Sequence, residues 1–311
     1  MMAKHLRLCL CLWLVTFIPR QSVAQVVSYS YGMVTGSMGD PVGPKMMQLG
    51  AGWVRAGCNW NEMQPSSRDD FRFGCAHSVV DTAAQLGLGV YFTILGTPGW
   101  ANGGQGGNVM PTDINDWYNF VHRFAQEFNG SNIIIGVWNE PNLSQFLIDD
   151  GQAHNYVQLF NTAAAARNDA APNLRLGGPE TSDSALSSGY LFWAVVGIGA
   201  SMLPSDIFAV HWYPGASMDL SSYMRQMHLY VGSALKVWLT EVGYNICSDQ
   251  DQAAAYDFLV ATYLNEGRTY WTNIFPYVLY RDVPDCGAIV RTDGTNRPAF
   301  DRYQTWISLF P

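Results

Sequence analysis

The sequence predicts a single α/β domain, a closed (β/α)8 TIM barrel, on three observations. Short β-branched, apolar runs alternate with longer stretches of helical period, the pattern of βα units and a parallel sheet. The runs number eight, at 26–34, 51–57, 88–95, 133–139, 174–178, 207–212, 235–241 and 273–279. No Gly-x-Gly-x-x-Gly follows the first run, which speaks against an open doubly wound sheet built to hold a dinucleotide.

Each element has its own justification. Several of the eight runs are apolar throughout, such as Ile133-Ile134-Ile135-Gly136-Val137, as strands covered on both faces must be. Between them, Ile114, Trp117, Val121, Phe124 and Phe128 recur at steps of three and four, so one helical face is apolar. Thr112 or Asp113 is placed to cap that helix and Asn129-Gly130 to end it. Leu220, Tyr223, Met224, Met227 and Val231 form a second stripe, and Phe300, Tyr303, Trp306, Ile307 and Phe310 a last one. These stripes read as core, because an apolar face buries itself by default. The glycines at 103–107 follow the third strand without dinucleotide spacing and read as a flexible loop.

The chain of 311 residues begins with a segment that reads as removable. Lys4 and Arg7 precede an apolar run from Leu8 to Ile18, and Ser22-Val23-Ala24 offers the small residues a signal peptidase reads. Residues 1–24 are therefore expected to be a signal peptide, and the protein to be secreted or periplasmic; a retained N-terminal anchor is the alternative. Cys9 and Cys11 lack the lipobox that would mark a lipid anchor. Cleavage leaves residues 25–311 as the barrel domain, near the typical size of about 250 residues. That domain carries 14 basic against 25 acidic side chains. Such a balance disfavours nucleic acid and anionic membranes as partners. Cys58, Cys75, Cys247 and Cys286 remain. An even count in an exported chain predicts disulfides. Of the three connectivities, Cys58–Cys75 and Cys247–Cys286 join neighbouring segments and are preferred. No clustered Cys/His spacing supports zinc, and no metal or organic cofactor is implied.

In such a barrel the reacting groups gather at the C-terminal ends of the strands. The fourth strand ends Val137-Trp138-Asn139-Glu140-Pro141-Asn142, and the seventh Trp238-Leu239-Thr240-Glu241-Val242-Gly243. A carboxylate facing a pocket is costly unless paired or hydrogen-bonded. Glycoside hydrolysis needs two of them, one protonated and one ionised, and burial with mutual repulsion separates the two states. The plainer reading gives each glutamate a salt bridge to a neighbouring loop.

The Trp-Asn-Glu-Pro and Thr-Glu-Val-Gly endings, with His211-Trp212-Tyr213 closing the sixth strand between them, resemble clan A glycoside hydrolases over roughly residues 30–305. Within the clan, family 39 and the cellulase-like family 5 are the most similar. The resemblance implies a retaining glycosidase acting on a β-linked glycan, with Glu140 as acid/base and Glu241 as nucleophile. It implies that Asn139 hydrogen-bonds the sugar 2-hydroxyl, that Arg55 stands near the nucleophile, and that Tyr213 contacts it. His211 belongs to the same His-x-Tyr motif and is assigned either to structure or to substrate contact. The segment Gly294 to Phe300 resembles the run that follows the eighth strand. Trp60, Trp100 and Trp138, at strand ends, are candidates to stack on sugar faces. One departure stands out: Ile274-Phe275-Pro276-Tyr277 carries proline where the clan carries tryptophan, leaving Tyr277 or Trp271 as its replacement. Family 39 members often append a β-sandwich, for which this length leaves no room, so an open cleft and endo action are expected. A transglycosylase using the same two glutamates, and a barrel that binds carbohydrate without cleaving it, are the alternatives. No Gly-x-Ser-x-Gly elbow, P-loop or His-Glu-x-x-His is present.

Overall fold

A computed structural model describes residues 28–311, apart from 131, 216–217, 233–235 and 267–269. The expected signal peptide lies outside the described residues. Eight strands form: β1 (Ser28–Val34), β2 (Ala51–Gly57), β3 (Gly89–Ile94), β4 (Ile133–Val137), β5 (Arg175–Thr181), β6 (Ile207–Trp212), β7 (Lys236–Gly243) and β8 (Trp271–Tyr277). They pair in chain order, all parallel, and β8 closes on β1. The fold is therefore the closed barrel that the alternation of the sequence predicts, with helices between successive strands.

Strand alternation sorts the side chains into two layers. Inward, Trp53, Tyr91, Ile134, Ile207, Ala209, Trp238 and Phe275 fill the barrel. Trp53 and Trp238 meet edge to face at 4.9 Å, and Tyr91 and Phe275 pack against Trp238. Outward, Val54, Phe92, Ile135, Leu176, Phe208 and Leu239 meet the helices. The three apolar stripes occupy the helices Ile114–Glu127, Leu220–Val231 and Pro298–Leu309. Asp113 caps the first of these by accepting from the Asn115 amide, and the helix stops short of Asn129-Gly130. Phe310 ends outside the last helix, exposed and stacked on Trp306.

Both expected disulfides are present, Cys58–Cys75 and Cys247–Cys286. The second ties the segment after β7 to the segment after β8. Below the barrel mouth, Arg167 and Asp206 form a wholly buried ion pair at 3.0 Å. Asp206 also accepts from the backbone amides of Leu176 and Leu203, so this pair joins chain segments and satisfies its own charges. Among the described residues, no helix is long and apolar enough to cross a membrane.

Candidate active site

The polar centre of the molecule lies at the C-terminal end of the barrel, and alternation explains most of it. Following inward Trp53, Arg55 faces inward from β2; following Tyr91, Thr93 does so from β3; following Ala209, His211 does so from β6. Glu241 is an exception. Trp238 faces in and Leu239 out, so strict alternation would send Glu241 outward. A register irregularity between Leu239 and Val242 turns it to the mouth, the usual work of a β-bulge at a barrel rim.

Glu140 follows β4 on a backbone that has left the strand. Trp138 and Glu140 both adopt left-handed φ, 68° and 40°. Each costs about 1–3 kcal/mol for a residue with a side chain. The turn has two results. It swings Trp138 out of the barrel, where its indole N–H donates to Phe146 O at 2.8 Å and its ring meets Trp117. It also brings Asn139 and Glu140 to the mouth, both half-buried.

Arg55 organises the cluster. One terminal nitrogen donates to Glu241 Oε2 at 2.7 Å, and the other to Asn139 Oδ1 at 2.7 Å. The Tyr213 hydroxyl donates to the second oxygen of Glu241. Burial by itself disfavours an ionised Glu241. The charges of His211 and Arg55, with the hydrogen bonds from Tyr213 and Arg55, outweigh that and hold its carboxyl below the ordinary carboxylate range. Burial likewise pulls His211 down, but the Glu241 charge and its carboxylate contacts raise it to about 9. His211 Nδ1 lies 3.1 Å from Glu140 Oε1 and 3.9 Å from Glu241 Oε2. The sequence-predicted Glu140, Glu241, Arg55, Asn139, His211 and Tyr213 are thus brought together around one imidazole. Burial and Glu241 together keep the Tyr213 phenol protonated far above its ordinary range.

The aromatic expectations need correction. Trp60 is wholly buried, donates to Gln64 Oε1 at 2.7 Å and packs on Trp117 and Phe120. Trp138 is equally buried. Neither presents a face to a sugar. Trp100 is half-buried, donates to Gln64 O and sits edge-on to Trp60; it is not among the residues lining the hollows beside Arg55 and Tyr213. Trp271 is buried at the start of β8, the end remote from the mouth. Tyr277 does reach the mouth, edge to face with Tyr213 at 6.3 Å. It lines a hollow of about 240 Å³ with Tyr213, Tyr244 and Asn245. His211 is fully buried beneath the carboxylates, so it touches them and does not stand free to meet a ligand.

Two features escaped the sequence reading. One is an amide-rich groove. A hollow of about 230 Å³ beside Arg55 and Asn139 adjoins another of about 310 Å³, and Asn59, Leu95 and Phe146 line both. Asn61, Asn108 and Gln145 complete its polar wall. Asn61 lies in the one-turn helix Trp60–Met63 and the other amides in loops, where no periodicity marks them. The other is Glu180, a third carboxylate with no exposed surface, whose own signal is its place at the C-terminal end of the fifth strand in Gly177-Gly178-Pro179-Glu180. A further hollow of about 300 Å³ lies beside the Cys247–Cys286 disulfide. Its Arg291 and Arg297 are taken up by Asp249 and main-chain carbonyls.

Chemically, this arrangement offers one carboxylate held ionised and a second one facing it across a shared imidazole. Comparison with known proteins agrees in kind. A family model described as glycosyl hydrolase catalytic core matches residues 108–294. No curated protein matches the chain by sequence. Among solved structures, the fold is similar to a GH39 β-xylosidase from Caulobacter crescentus, with TM-score 0.70 and 17% identity, covering 92% of this chain and 72% of that one. A family 39 glycoside hydrolase from Bacteroides cellulosilyticus WH2 gives TM-score 0.72 at 17% identity, covering 92% of this chain and 65% of its own. Xylanase 10B from Thermotoga maritima gives TM-score 0.66 at 14% identity, covering 90% and 94%.

Proposed function

The chain belongs to the glycosyl hydrolase catalytic core family, and from that premise we propose that it cleaves a β-linked glycan with retention, through Glu241 as nucleophile and Glu140 as acid/base. The observation that carries the reading is the asymmetry of the two carboxylates. Glu241 accepts from Arg55 and Tyr213 on both its oxygens, which keeps it ionised and fixed in direction. Among the described residues Glu140 has no arginine hydrogen-bonded to it; it faces His211. Double displacement asks for this division: an ionised nucleophile and a partner able to give and take a proton.

The two His211 distances cap the gap between Glu140 Oε1 and Glu241 Oε2 at about 7 Å, within reach of the roughly 5–5.5 Å of retaining pairs and at the low edge of the roughly 6.5–9.5 Å of inverting ones. Asn139, held by Arg55, is placed to donate its amide to a sugar hydroxyl beside Glu241 as charge develops at the anomeric carbon. Tyr277 and the amide groove supply the walls. Recognition of the glycan then rests on amides and phenols, with no exposed indole among the described residues of the mouth.

The named neighbours make β-xylosides and xylan the first probes, followed by β-1,3- and β-1,4-glucans, mannan and acidic polysaccharides. On the glycoside that turns over, a 2-fluoro analogue with a good leaving group traps the glycosyl-enzyme. Mass spectrometry of the digest is expected to find the label on the peptide carrying Glu241. Replacing Glu241 by glycine is expected to abolish hydrolysis, with azide restoring cleavage. Label on Glu140, or an inverted product, would refute the assignment.

A further inference from the structure

Glu180 is a buried charge that the roles above leave unused. It stands on β5 beyond Gly177 and Pro179. Alternation would send it outward, and a register irregularity between Pro179 and Thr181 turns it into the barrel, on a left-handed φ of 47°. The space it enters is kept open by Gly136, where a Cβ would lie 2.2 Å from Glu180 Oε1. Its backbone carbonyl accepts from the Glu140 amide at 3.0 Å. The Arg167–Asp206 pair shows what a structural buried pair looks like here: its charges answer each other and the chain around them. Glu180 differs, because both its charged neighbours reach on to the reacting pair.

We propose that Glu180 is a positioning residue for the reaction: it aims Arg55 at Glu241 and fixes which edge of His211 meets Glu140. The inference rests on the reading of Glu140 and Glu241 as the reacting groups. Glu180 Oε2 accepts from Nε and one terminal nitrogen of Arg55, at 3.2 and 2.6 Å, and from the Thr93 hydroxyl at 3.2 Å. Held along that edge, the guanidinium cannot turn, and its remaining terminal nitrogen points at Glu241. The same Oε2 lies 3.8 Å from His211 Nε2, a buried nitrogen with no hydrogen-bond partner. A negative charge at that edge keeps a proton on Nε2. The opposite nitrogen, Nδ1, is then the one that shares a proton with Glu140 Oε1. With that proton on Oε1 the acid is loaded and the imidazole neutral. With it on Nδ1 the carboxylate is ionised and the imidazole charged. The pair carries the same net charge either way, and the fields of Glu180, Glu241 and Arg55 decide on which side the proton rests.

The groups facing this pair come from every neighbouring element. They are Arg55 on β2, Tyr91 and Thr93 on β3, Tyr156 on the helix His154–Ala170, Asp183 after β5, Tyr213 after β6, Tyr223 on the helix Leu220–Val231, and Glu241 on β7. Arg55 opposes a proton on His211, Glu241 favours it, and Glu180 adds to Glu241. Neutralising Glu180 therefore moves His211 down.

The test reads His211 directly. Imidazole ¹H–¹⁵N NMR titrations of the wild type, Glu180→Gln and Glu180→Asp, with His211→Asn for assignment, need no substrate. In the wild type His211 is expected to titrate near 9, against an ordinary value of roughly 6.5. Glu180→Gln is expected to lower that midpoint by about one unit or more, and Glu180→Asp to restore part of it. On the nitrophenyl glycoside that turns over, Glu180→Gln should cost roughly 10–100-fold in kcat with little change in KM, and its basic limb should move to lower pH. If Glu180→Gln does not fold, the wild type decides: a midpoint at the ordinary histidine value overturns the proposal. A folded, active Glu180→Gln that keeps both the midpoint and the basic limb overturns it too. A wild type inert on every glycan, with the midpoint lowered in Glu180→Gln, overturns the catalytic reading and supports the link between Glu180 and His211.

Discussion

His211 is the residue on which the candidate site turns. A single nitrogen sees both carboxylates, so Glu140 and Glu241 are coupled through one ring. Its role was only half legible in the sequence. The His-x-Tyr spacing located it, but burial beneath the carboxylates follows from β6 alternation running through Ala209, which no motif states. Glu140 was legible because it directly follows Asn139 at a strand end. Its proposed role as acid makes a specific expectation. Glu140→Gln should lose roughly 100-fold or more on natural glycans, whose leaving oxygen needs a proton. It should keep most of its glycosylation rate on nitrophenyl glycosides, which leave without help. Equal losses on both substrate types would remove Glu140 from that role.

At the scale of elements, all eight strands appear near their expected limits, because apolar runs between glycines and polar turns are a local signal. The mismatches share a cause. The fifth strand was expected to stop at residue 178. It runs on through Pro179 to Thr181, and the bulge there delivers Glu180. The fourth was expected to reach residue 139 and stops at Val137, so Trp138 leaves the inward row. Bulges and left-handed turns are set by packing around them, which is why a two-residue period did not foresee either. The disulfides were legible from an even cysteine count in a chain read as exported, and their pairing from the preference for neighbouring segments. Cys247–Cys286 closes a separation of 39 residues and ties the segments that follow β7 and β8. Replacing both cysteines by serine should cost about 2–4 kcal/mol. The check is thermal unfolding without reductant, and an unchanged Tm would mean that the bond constrains nothing.

Across the whole molecule, two buried site groups set opposite limits on stability against pH. Glu241 is lowered from 4.5, so its contribution is present above that value and is lost as pH falls below it. His211 is raised from 6.5 to about 9, so its contribution is complete below 6.5 and is lost as pH rises through 9. These groups together place the broadest plateau of Tm between pH 4.5 and 6.5. Melting curves across pH should show Tm declining from 6.5 towards 9, and His211→Asn should flatten that decline. A wild-type Tm that rises over the same interval would contradict the assignment. The burial of the indoles has a different consequence. Trp60, Trp117, Trp138 and Trp271 are sealed between strands and helices, whereas Trp193 is largely exposed. An indole shut away from water emits at shorter wavelength and is shielded from dissolved quenchers. With Trp53 and Trp238 enclosed in the barrel as well, the molecule's intrinsic fluorescence is therefore in the main a gauge of its packed interior, while tyrosines and amides line the mouth.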